Sequence, residues 1–547
     1  MEIKKNDCYE VTIEDMTVAG EGVGKVEGYP FFVKDTVVGD RVKILAIKVK
    51  KNYGYGKVLE VLSPSKDRVE PRCSVATSCG GCIFQHISYE KQLELKQNHV
   101  KNCLEKIGGL QNIEQRMEPI IGMEEPYFYR NKAQFPIGTN KNGELVAGFY
   151  ARRTHSIIHH LECQIQHPVN ETILKMVLSF MKKYQVPAYD EVTHTGLVRH
   201  VLTRVGFVTK EIMVCLVVNG KKIPHMEELV KSLCTLPNMT SIVLCENTEK
   251  TNKILGETIH SIWGQDYIED YIGDVKYQIS ALSFFQVNPI QTKVLYETAL
   301  EYAGLTGEET VWDLYCGIGT ISLFLAQRAK QVYGVEIVPE AIEDARRNAK
   351  INGLENVTFF VGKAEEVLPE QYEQNQIYAD VIVVDPPRKG CDEKCLETIV
   401  KMQPKKVVYV SCDPATLARD LKYLTREGYE VRKVQAVDQF CHSGHVETVV
   451  LLSQRKADDY VEVELELDEL DETSAETKAT YQKIKDYVKD KYGVNVHTSY
   501  IAQVKRMCGL DMGENYNKSK KENPEVKKCP QEKVEYIKDA LRYFGMI

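Results

Sequence analysis

The strongest constraint on the fold is a regular alternation of strand-like and helix-like segments between residues 310 and 410. Short apolar runs typical of buried strands are separated by segments with helical periodicity. The predicted strands are 310–314, 332–336, 357–361, 379–384 and 406–410, and the predicted helices include 320–330 and 339–352. Such alternation indicates an α/β fold with a mostly parallel, doubly wound sheet, in which ligands bind at the carboxyl ends of the strands.

A glycine turn follows the first of these strands. Gly317 and Gly319 would let the backbone approach a cofactor, and Glu336, at the end of the next strand, is placed to accept hydrogen bonds from a ribose diol. Asp385 closes the fourth strand in the same layer. Nicotinamide enzymes carry similar glycines, but the third glycine of their fingerprint is missing here. The pattern therefore favours S-adenosylmethionine as the cofactor.

Residues 409–420, YVSCDPATLARD, place a cysteine where such a sheet presents a nucleophile. The last predicted strand delivers Cys412 into a turn opened by Asp413. A turn beside a helix N-terminus favours the thiolate near neutral pH, and an inert buried thiol is the alternative. Arg388, after Asp385-Pro-Pro, stands where adenine amino-methyltransferases have an aromatic residue, so an exocyclic amine is disfavoured as the methyl acceptor.

Three further cysteines lie close together at Cys73, Cys79 and Cys82, with two glycines before the third. A cubic iron-sulfur cluster needs four thiolates, and glycines let the backbone wrap tightly around it. Zinc is the alternative, because four thiolates also satisfy zinc. The spacing does not choose between Cys163 and Cys103 as the fourth ligand.

The N-terminal residues 11–62 alternate apolar and polar residues between glycines, as in a small β-barrel. Residues 41–58 contain six basic residues and no acidic one, interleaved with Tyr53 and Tyr55, which suits phosphate contact and base stacking. An ordinary barrel with a basic rim is the alternative. Residues 118–270 indicate a β-rich region with a helix near 169–184. Its basic residues form a candidate RNA-facing surface: Arg130, Lys132, Arg152, Arg153, Arg199 and Arg204.

The length of 547 residues exceeds what one core supports, so several domains are expected. The net charge of −8 becomes +1 without residues 458–472, which hold nine acidic residues and no basic one and are interpreted as a solvated linker. Without a long apolar run or a signal-like N-terminus, we expect no membrane association and a cytoplasmic location. Sixteen cysteines in that reducing compartment favour thiol chemistry and metal ligation over disulfides.

Together, the motifs resemble those of the RNA uracil-5-methyltransferases, specifically the bacterial 23S ribosomal RNA branch with an N-terminal TRAM barrel and an iron-sulfur cluster. They are the four cysteines Cys73, Cys79, Cys82 and Cys163 and, in chain order, FFQVNP, DLYCGIGT, VEIVPEAI, DPPRKG, SCDPATLARD and HVETVVLL. The resemblance covers about residues 1–455. Several motifs in the right order make it specific.

The resemblance implies C5-methylation of uridine in 23S rRNA through an adduct between Cys412 and C6, with Glu447 as the base. From its spacing alone, Glu447 would be an ordinary strand residue. The resemblance further implies a 4Fe-4S cluster on the four cysteines and S-adenosylmethionine contacts from Gln286, Tyr315, Glu336 and Asp385. The alternatives are a tRNA uracil-5-methyltransferase, whose relatives generally lack the barrel and cluster cysteines, and a catalytically silent TRAM-bearing RNA-binding protein. One departure is Thr320, where ribosomal relatives often have asparagine.

These patterns divide the chain into five segments. They are a TRAM (OB-like) β-barrel that binds RNA at 1–62, a β-rich central domain with the iron-sulfur cluster at 63–270, a Rossmann-like methyltransferase domain at 271–455, an acidic linker at 456–474 and a small helical extension at 475–547. Helical spacing in the last segment predicts three short amphipathic helices. They would contact RNA or protein, or form a passive extension. A monomer is expected.

Overall fold

The computed structural model describes residues 3–152, 154–455, 481–508, 529–544 and 546–547. The chain divides into two compact units, Met1–Asp459 and Tyr460–Ile547. The predicted acidic linker and Arg153 lie outside the described residues. Within the described ranges, no helix is both long and apolar enough to cross a membrane.

The first unit begins with a closed five-stranded barrel in the order β1-β2-β3-β5-β4. Its strands are β1 (Cys8–Met16), β2 (Glu21–Val26), β3 (Tyr29–Lys34), β4 (Arg41–Val49) and β5 (Gly54–Ser63). Alternate side chains, among them Val11, Phe31 and Ile44, are fully buried inside the barrel. The alternation of apolar and polar residues in the sequence thus reflects the barrel, because every second residue of a strand points to the same face.

The segment after the barrel contributes strands to two different sheets: β6 joins the eight-stranded sheet described below, and β7 to β13 form a sheet of their own. Its first elements are helix α1 (Tyr89–Lys106), a 3-10 helix (Ile113–Arg116) and strand β6 (Met117–Ile121). A seven-stranded sheet follows, in the order β13-β12-β11-β10-β7-β8-β9. Its strands are β7 (Lys132–Thr139), β8 (Leu145–Tyr150), β9 (Ile157–His159), β10 (Val198–Val205), β11 (Ile212–Val218), β12 (Met239–Glu246) and β13 (Thr258–Gly264). Helices α2 (Val169–Lys183) and α3 (Met226–Leu233) pack on it, and the central strands β10 and β11 are buried on both faces.

The hairpin β14 (Tyr267–Ile272) and β15 (Val275–Ser280) leads into an eight-stranded sheet ordered β18-β17-β16-β19-β20-β22-β21-β6. Its remaining strands are β16 (Thr310–Leu314), β17 (Gln331–Glu336), β18 (Val357–Val361), β19 (Val381–Val384), β20 (Lys406–Ser411), β21 (Tyr429–Val437) and β22 (Glu447–Gln454). Its helices are α4 (Pro289–Ala303), α5 (Thr320–Ala326), α6 (Pro339–Ile351), α7 (Ala364–Asn375), α8 (Glu393–Met402) and α9 (Pro414–Arg426).

Strands β16 to β20 of this sheet are parallel, whereas β22 runs antiparallel to both β20 and β21. The mostly parallel sheet is thus as predicted, and β6 adds a strand from far earlier in the chain. The helix predicted to end at Lys330 instead ends at Ala326. It is shorter because the backbone of Arg328 and Ala329 turns back to bond Leu325, and β17 begins immediately afterwards.

The second unit contains three helices, α10 (Tyr481–Tyr492), α11 (Thr498–Met507) and α12 (Gln531–Tyr543). They enclose an apolar core to which each helix contributes, including Ile484, Val504 and Ile537. The three amphipathic helices predicted from the sequence are confirmed among the described residues.

Candidate active site

Cys412 and Glu447 lie at adjoining ends of two antiparallel strands. Ser411, the last residue of β20, pairs with Thr448 of β22. Cys412 and Glu447 are the next residues outward from that pair, so they continue the same register. Glu447 is 2 % exposed, and its Oε2 has no hydrogen-bond partner within the described part of the chain. A buried carboxyl group with an unused acceptor therefore lies beside a half-buried thiol.

The surroundings of Cys412 favour the neutral, protonated form of its thiol. Burial raises the pKa of the thiol to about 12, with further increases from Glu447 and Asp385 and an opposing effect from Arg388. The expectation that the adjacent helix would favour the thiolate is wrong for this structure. The Asp413 carboxylate accepts the Ala415 N–H of α9 at 2.9 Å, and it therefore occupies the helix N-terminus in place of the thiol.

Two neighbouring carboxyl groups are also shifted toward their neutral forms. Burial, followed by the charge of Asp385, raises the pKa of Glu447 well above its usual range. Burial raises the pKa of Asp385 to about 7. These shifts arise because a carboxylate in a low-dielectric site loses its hydration. Clustered groups with perturbed pKa values are typical of sites that transfer protons.

The glycine turn after β16 lies next to Glu336. Glu336 Oε2 accepts the Gly317 N–H at 3.2 Å, and Oε1 accepts the Val338 N–H at 3.1 Å. Gly317 has a φ of +54°, and a Cβ added to it would meet nothing within 4 Å. Gly319 has a φ of +82° and lies against Phe359. The turn thus has one tightly packed glycine and one that leaves open space where a cofactor could approach.

Tyr315 directly follows β16 and begins the glycine turn. Its side chain interacts with Cys395 and Cys391 and packs in the cluster that contains Trp312. Its backbone N–H donates to Val335 at 3.0 Å, with φ of +70°. The side chain of Tyr315 thus has its contacts in this cluster, and its backbone N–H joins the turn to β17.

Asp313, a residue that the sequence analysis did not single out, lies directly beneath the turn. It is fully buried, and burial raises its pKa to about 7. Its Oδ2 accepts the Ser322 hydroxyl at 2.5 Å. Thr320 accepts a hydrogen bond from the Tyr296 hydroxyl at 2.9 Å. Burial raises the pKa of Tyr296, and the charges of Asp385, Asp313 and Glu447 raise it further.

Gln286, a predicted cofactor contact, is hydrogen-bonded to the loop that precedes Glu447. Its Oε1 accepts from Gln439 Nε2 at 3.4 Å, and both side chains are buried. Asn288 caps α4 by accepting the Gln291 N–H and donates to the Gln439 carbonyl at 3.1 Å. Gln439 belongs to the loop that precedes Glu447. Sequence reasoning missed it because no motif reaches this position.

The loop after Asp385 is held against α9. The Thr416 hydroxyl donates to the Arg388 carbonyl at 3.1 Å, and Arg419 donates to the Lys389 carbonyl at 2.9 Å. The Arg388 side chain interacts electrostatically with Cys412 and Glu447, and it lowers the pKa of both. The predicted nucleophile and the predicted base therefore share Arg388 as an electrostatic neighbour, and Asp385 acts on both of them as well.

The four predicted cluster cysteines also come together. Burial raises the pKa of Cys82 to about 12, with added effects of Cys163, Cys79 and Cys73. Burial raises the pKa of Cys163 to about 11, with smaller effects from Cys73 and Cys79. Cys103, the other candidate for the fourth position, is instead 3.7 Å from His99 and is influenced by Asp413. The structure separates Cys103 from this group.

The described residues of this cysteine group do not have the geometry of a metal site. Among the residues that the structure describes, no three His, Cys, Asp or Glu side chains are arranged to hold one metal ion. The backbone around the thiols is nevertheless well supported. Arg152 donates to the carbonyl of Cys79 at 3.0 Å and to that of Cys82 at 3.3 Å.

Part of the predicted RNA-facing basic surface is wrong. Arg199 and Arg204 are 5 % and 2 % exposed, and their guanidinium groups donate to backbone carbonyls, including those of Asn247 and Ser283. Arg152 supports the cysteine loop, as described above. These arginines satisfy buried carbonyl groups. Arg199 and Arg204, being buried, cannot contact RNA from their positions.

The barrel does present aromatic and basic groups. Phe32 lies 5.6 Å from Tyr53 and 5.8 Å from Tyr55 between ring centroids, and Tyr53 is exposed. Lys48 and Lys51 on the neighbouring segment are also exposed. Aromatic rings beside lysines suit nucleic-acid bases and phosphates.

Comparison with protein families identifies two parts of the chain. Residues 88–455 match tRNA (Uracil-5-)-methyltransferase, and residues 4–59 match the TRAM domain. The first match covers more than half of the chain. The chain belongs to the RNA uracil-5-methyltransferase family. The TRAM match coincides with the five-stranded barrel, so the prediction of an N-terminal TRAM barrel is confirmed.

Relatives of this family member match most of the chain. An uncharacterized RNA methyltransferase of Halalkalibacterium halodurans is 53% identical over 451 residues, which cover 82% of this chain and 98% of the relative. An uncharacterized RNA methyltransferase of Clostridium tetani is 51% identical over 452 residues, which cover 82% of this chain and 97% of the relative. The crystal structure of Pyrococcus abyssi tRNA (uracil-54, C5)-methyltransferase in complex with S-adenosyl-L-homocysteine has a TM-score of 0.66 and 26% identity, covering 81% of this chain and 100% of that chain.

Proposed function

We propose that this protein methylates C5 of specific uridines in 23S ribosomal RNA, with S-adenosylmethionine as the methyl donor. The observation that carries the proposal is the Cys412 thiol beside the buried Glu447 carboxyl, whose Oε2 has no partner among the described residues. Few methyl acceptors need both a nucleophile and a base. C5 of uracil does, because it is too poor a nucleophile to attack a sulfonium methyl group unaided.

The proposed reaction begins at Cys412. After the thiol releases its proton to solvent water, sulfur bonds to C6 and the C5–C6 π electrons move toward O4, which makes C5 nucleophilic. S-adenosylmethionine supplies the methyl group that C5 takes. Glu447 then accepts the C5 proton, the C5–C6 double bond re-forms and the C6–S bond breaks. The raised pKa of Glu447 makes its carboxylate a stronger base than an exposed one.

The cofactor would be held at the carboxyl ends of β16, β17 and β19. Gly317 offers open space, and Glu336, held by its backbone hydrogen bonds, would accept the ribose hydroxyls with the remaining lone pairs of its oxygens. Asp385, Gln286, Gly319 and the Tyr315 backbone complete the proposed contacts. Family membership and the S-adenosyl-L-homocysteine named for the Pyrococcus abyssi structure support this assignment.

We also propose a 4Fe-4S cluster on Cys73, Cys79, Cys82 and Cys163. Their mutual electrostatic interactions support one four-thiol group. Zinc would require the four sulfurs to converge on one ion, whereas in a cubic cluster each thiolate binds a different iron. Metal analysis distinguishes the two, because the cluster contains four irons and the alternative site one zinc.

The TRAM barrel is proposed to hold RNA around the target through Phe32, Tyr53, Tyr55 and the nearby lysines. The target uridine would be unpaired or flipped out, because thiol attack on C6 requires access that a stacked helix denies. The protein is proposed to act as a monomer.

A tRNA acceptor is the second candidate. It is favoured by the Pyrococcus abyssi structure, a tRNA (uracil-54, C5)-methyltransferase whose whole chain is covered. Mapping 5-methyluridine in rRNA and tRNA from cells with and without the gene decides between them. Loss of the modification from 23S rRNA alone is expected, and loss from tRNA alone would overturn the ribosomal assignment.

A further inference from the structure

The loop that precedes Glu447, residues 438–446, is unusually buried. Asp438 and Gln439 are fully buried, and Cys441 and His442 are 1 % and 2 % exposed. Loops normally run over the surface because their backbone polar groups need partners. Here other parts of the protein supply those partners. The contacts fall into two sets, one toward the cysteine-rich segment and one toward the cofactor side.

Asp438 anchors the start of the loop to α1. It forms a buried ion pair with Lys96, with side chains 0% and 1% exposed, and its Oδ2 accepts the Tyr89 hydroxyl at 2.8 Å. Lys96 also donates to the Phe440 carbonyl at 3.0 Å. Buried charges persist in proteins only when they are paired and hydrogen-bonded. Each group here is bonded to a second partner, so the position of Asp438 is strongly determined.

His442 links the loop to the cysteine-rich segment. Its carbonyl accepts the N–H groups of Ile83 at 3.0 Å and Phe84 at 3.1 Å. Ile83 directly follows Cys82. His442 N–H also donates to Gln92 of α1 at 3.2 Å. The backbone beside a proposed cluster ligand is therefore bonded directly to the loop that carries the proposed base.

The other side of the loop reaches the active site. Gln439 Nε2 donates to Thr292 at 2.9 Å and to Gln286 at 3.4 Å. Glu447 follows eight residues later, at the start of β22. Gly444 lies so close to the barrel that an added Cβ would be 2.0 Å from the Val18 carbonyl oxygen. No side chain larger than hydrogen fits at that contact.

We propose that Asp438 is a positioning residue for Glu447, and that loop 438–446 is the element through which α1 and the cysteine-rich segment hold the base in place. The proposal rests on the proposed function, because it takes Glu447 as the group that accepts the C5 proton. Asp438 does not contact the reacting atoms. Its role is to fix the loop from which Glu447 emerges.

A displaced base would affect one step of the reaction selectively. Addition of Cys412 and methyl transfer need no base at C5, whereas release of the product does. In Asp438→Asn and Tyr89→Phe, we expect single-turnover methylation within about twofold of wild type. Release of the methylated RNA should slow at least tenfold, so a covalent methylated adduct accumulates. Denaturing gels of RNA carrying a radiolabelled methyl group measure both quantities.

The matched control is Tyr429→Phe. Tyr429 is also a buried tyrosine, at the far end of β21, and its hydroxyl donates to the Pro404 carbonyl at 3.1 Å. It should release product at the wild-type rate. Should Asp438→Asn fail to fold, the double variant Lys96→Met/Asp438→Asn removes both charges together, and Tyr89→Phe leaves the ion pair intact.

The outcomes distinguish a failure of the positioning role of Asp438 from a failure of the proposed function itself. Wild-type release rates in all folded variants, or equal losses in methylation and release, would overturn the role of Asp438 alone. Wild-type enzyme is tested in parallel on RNA with 5-fluorouridine at the target. If it forms no covalent adduct there, the proposed function fails, and the role of Asp438 fails with it.

Discussion

The Gly317 N–H donates to Glu336 Oε2 at 3.2 Å, so the glycine turn and the acidic residue of the neighbouring strand hold each other in place. Glu336 also accepts from Val338 through its other oxygen at 3.1 Å. Both carboxylate oxygens are thus oriented before any ligand binds. Such preorganisation reduces the entropic cost of binding.

The first prediction concerns this carboxylate. Glu336→Ala should weaken S-adenosylmethionine binding by about 1–3 kcal/mol, the loss expected for charge-assisted hydrogen bonds. Calorimetric titration of the cofactor measures the change. Glu373→Ala, at an exposed position of α7, is the control and should bind as wild type does. Unchanged affinity in Glu336→Ala would refute the ribose contact.

Local patterns in the sequence were sufficient to predict the sheet that carries the site. Strands 310–314 and 357–361 have the predicted bounds, because alternation and apolar runs are local signals. The loop that holds Glu447 could not be predicted this way. Its key contacts join residues about 350 positions apart, such as Gln92 with His442. No local pattern reports such pairing.

Charge was a poor guide to exposure in the central region. Arg199 and Arg204 were expected on an RNA-facing surface, yet both are buried and donate to backbone carbonyls. Composition does not separate an arginine that meets phosphate from one that satisfies buried carbonyl groups. The thiol of Cys412 is a similar case. Its motif was identified, but its raised pKa depends on Glu447 and Asp385, which only the folded sheet brings near.

The second prediction concerns metal content. Protein purified without oxygen should be brown and contain about four irons per chain. Cys163→Ser should lose most of this iron, because Cys163 interacts with Cys73, Cys79 and Cys82. Cys103→Ser should keep it, since Cys103 lies beside His99. Elemental analysis and the visible absorption spectrum measure this. Stoichiometric zinc without iron, or iron loss in Cys103→Ser but not in Cys163→Ser, would contradict the assignment.

The third prediction follows from the pKa of Cys412. Burial and nearby acids raise this pKa to about 12, so the thiolate forms only as pH rises. Alkylation of Cys412 by iodoacetamide should therefore accelerate about tenfold per pH unit between about pH 7 and 10. Peptide-level mass spectrometry gives the rate, with the exposed Cys8 as a reference for the reagent. A plateau near pH 8 would mean that the thiol is far more acidic than its surroundings indicate.

Removing the charge of Glu447 and removing the charge of Arg388 should shift the pH dependence of Cys412 alkylation in opposite directions. Glu447→Gln removes a negative charge that raises the pKa of Cys412, so the variant should be alkylated faster than wild type at the same pH. The difference should grow as the pH rises, because Glu447 becomes ionised in the wild-type protein. Arg388→Gln removes the positive charge that lowers the pKa of Cys412, so alkylation should be slower. Parallel shifts in the two variants would indicate a general opening of the site.

The last prediction separates nucleophile from base. Cys412→Ala should bind RNA and form neither adduct nor product, because C5 is not activated without the C6–S bond. Glu447→Gln should transfer the methyl group to C5 and then retain the RNA covalently. The C5 proton has no acceptor in this variant, so the C6–S bond cannot break.

Wild-type enzyme on RNA with 5-fluorouridine should stop at the same methylated adduct, since fluorine replaces the proton that Glu447 removes. Denaturing gels with a radiolabelled methyl group compare the three cases directly. A trapped adduct in Cys412→Ala would show that another group attacks C6. Free methylated product released by Glu447→Gln at the wild-type rate would mean that a different group accepts the proton. Asp385 is then the next carboxyl group to test, since its charge acts on both Cys412 and Glu447.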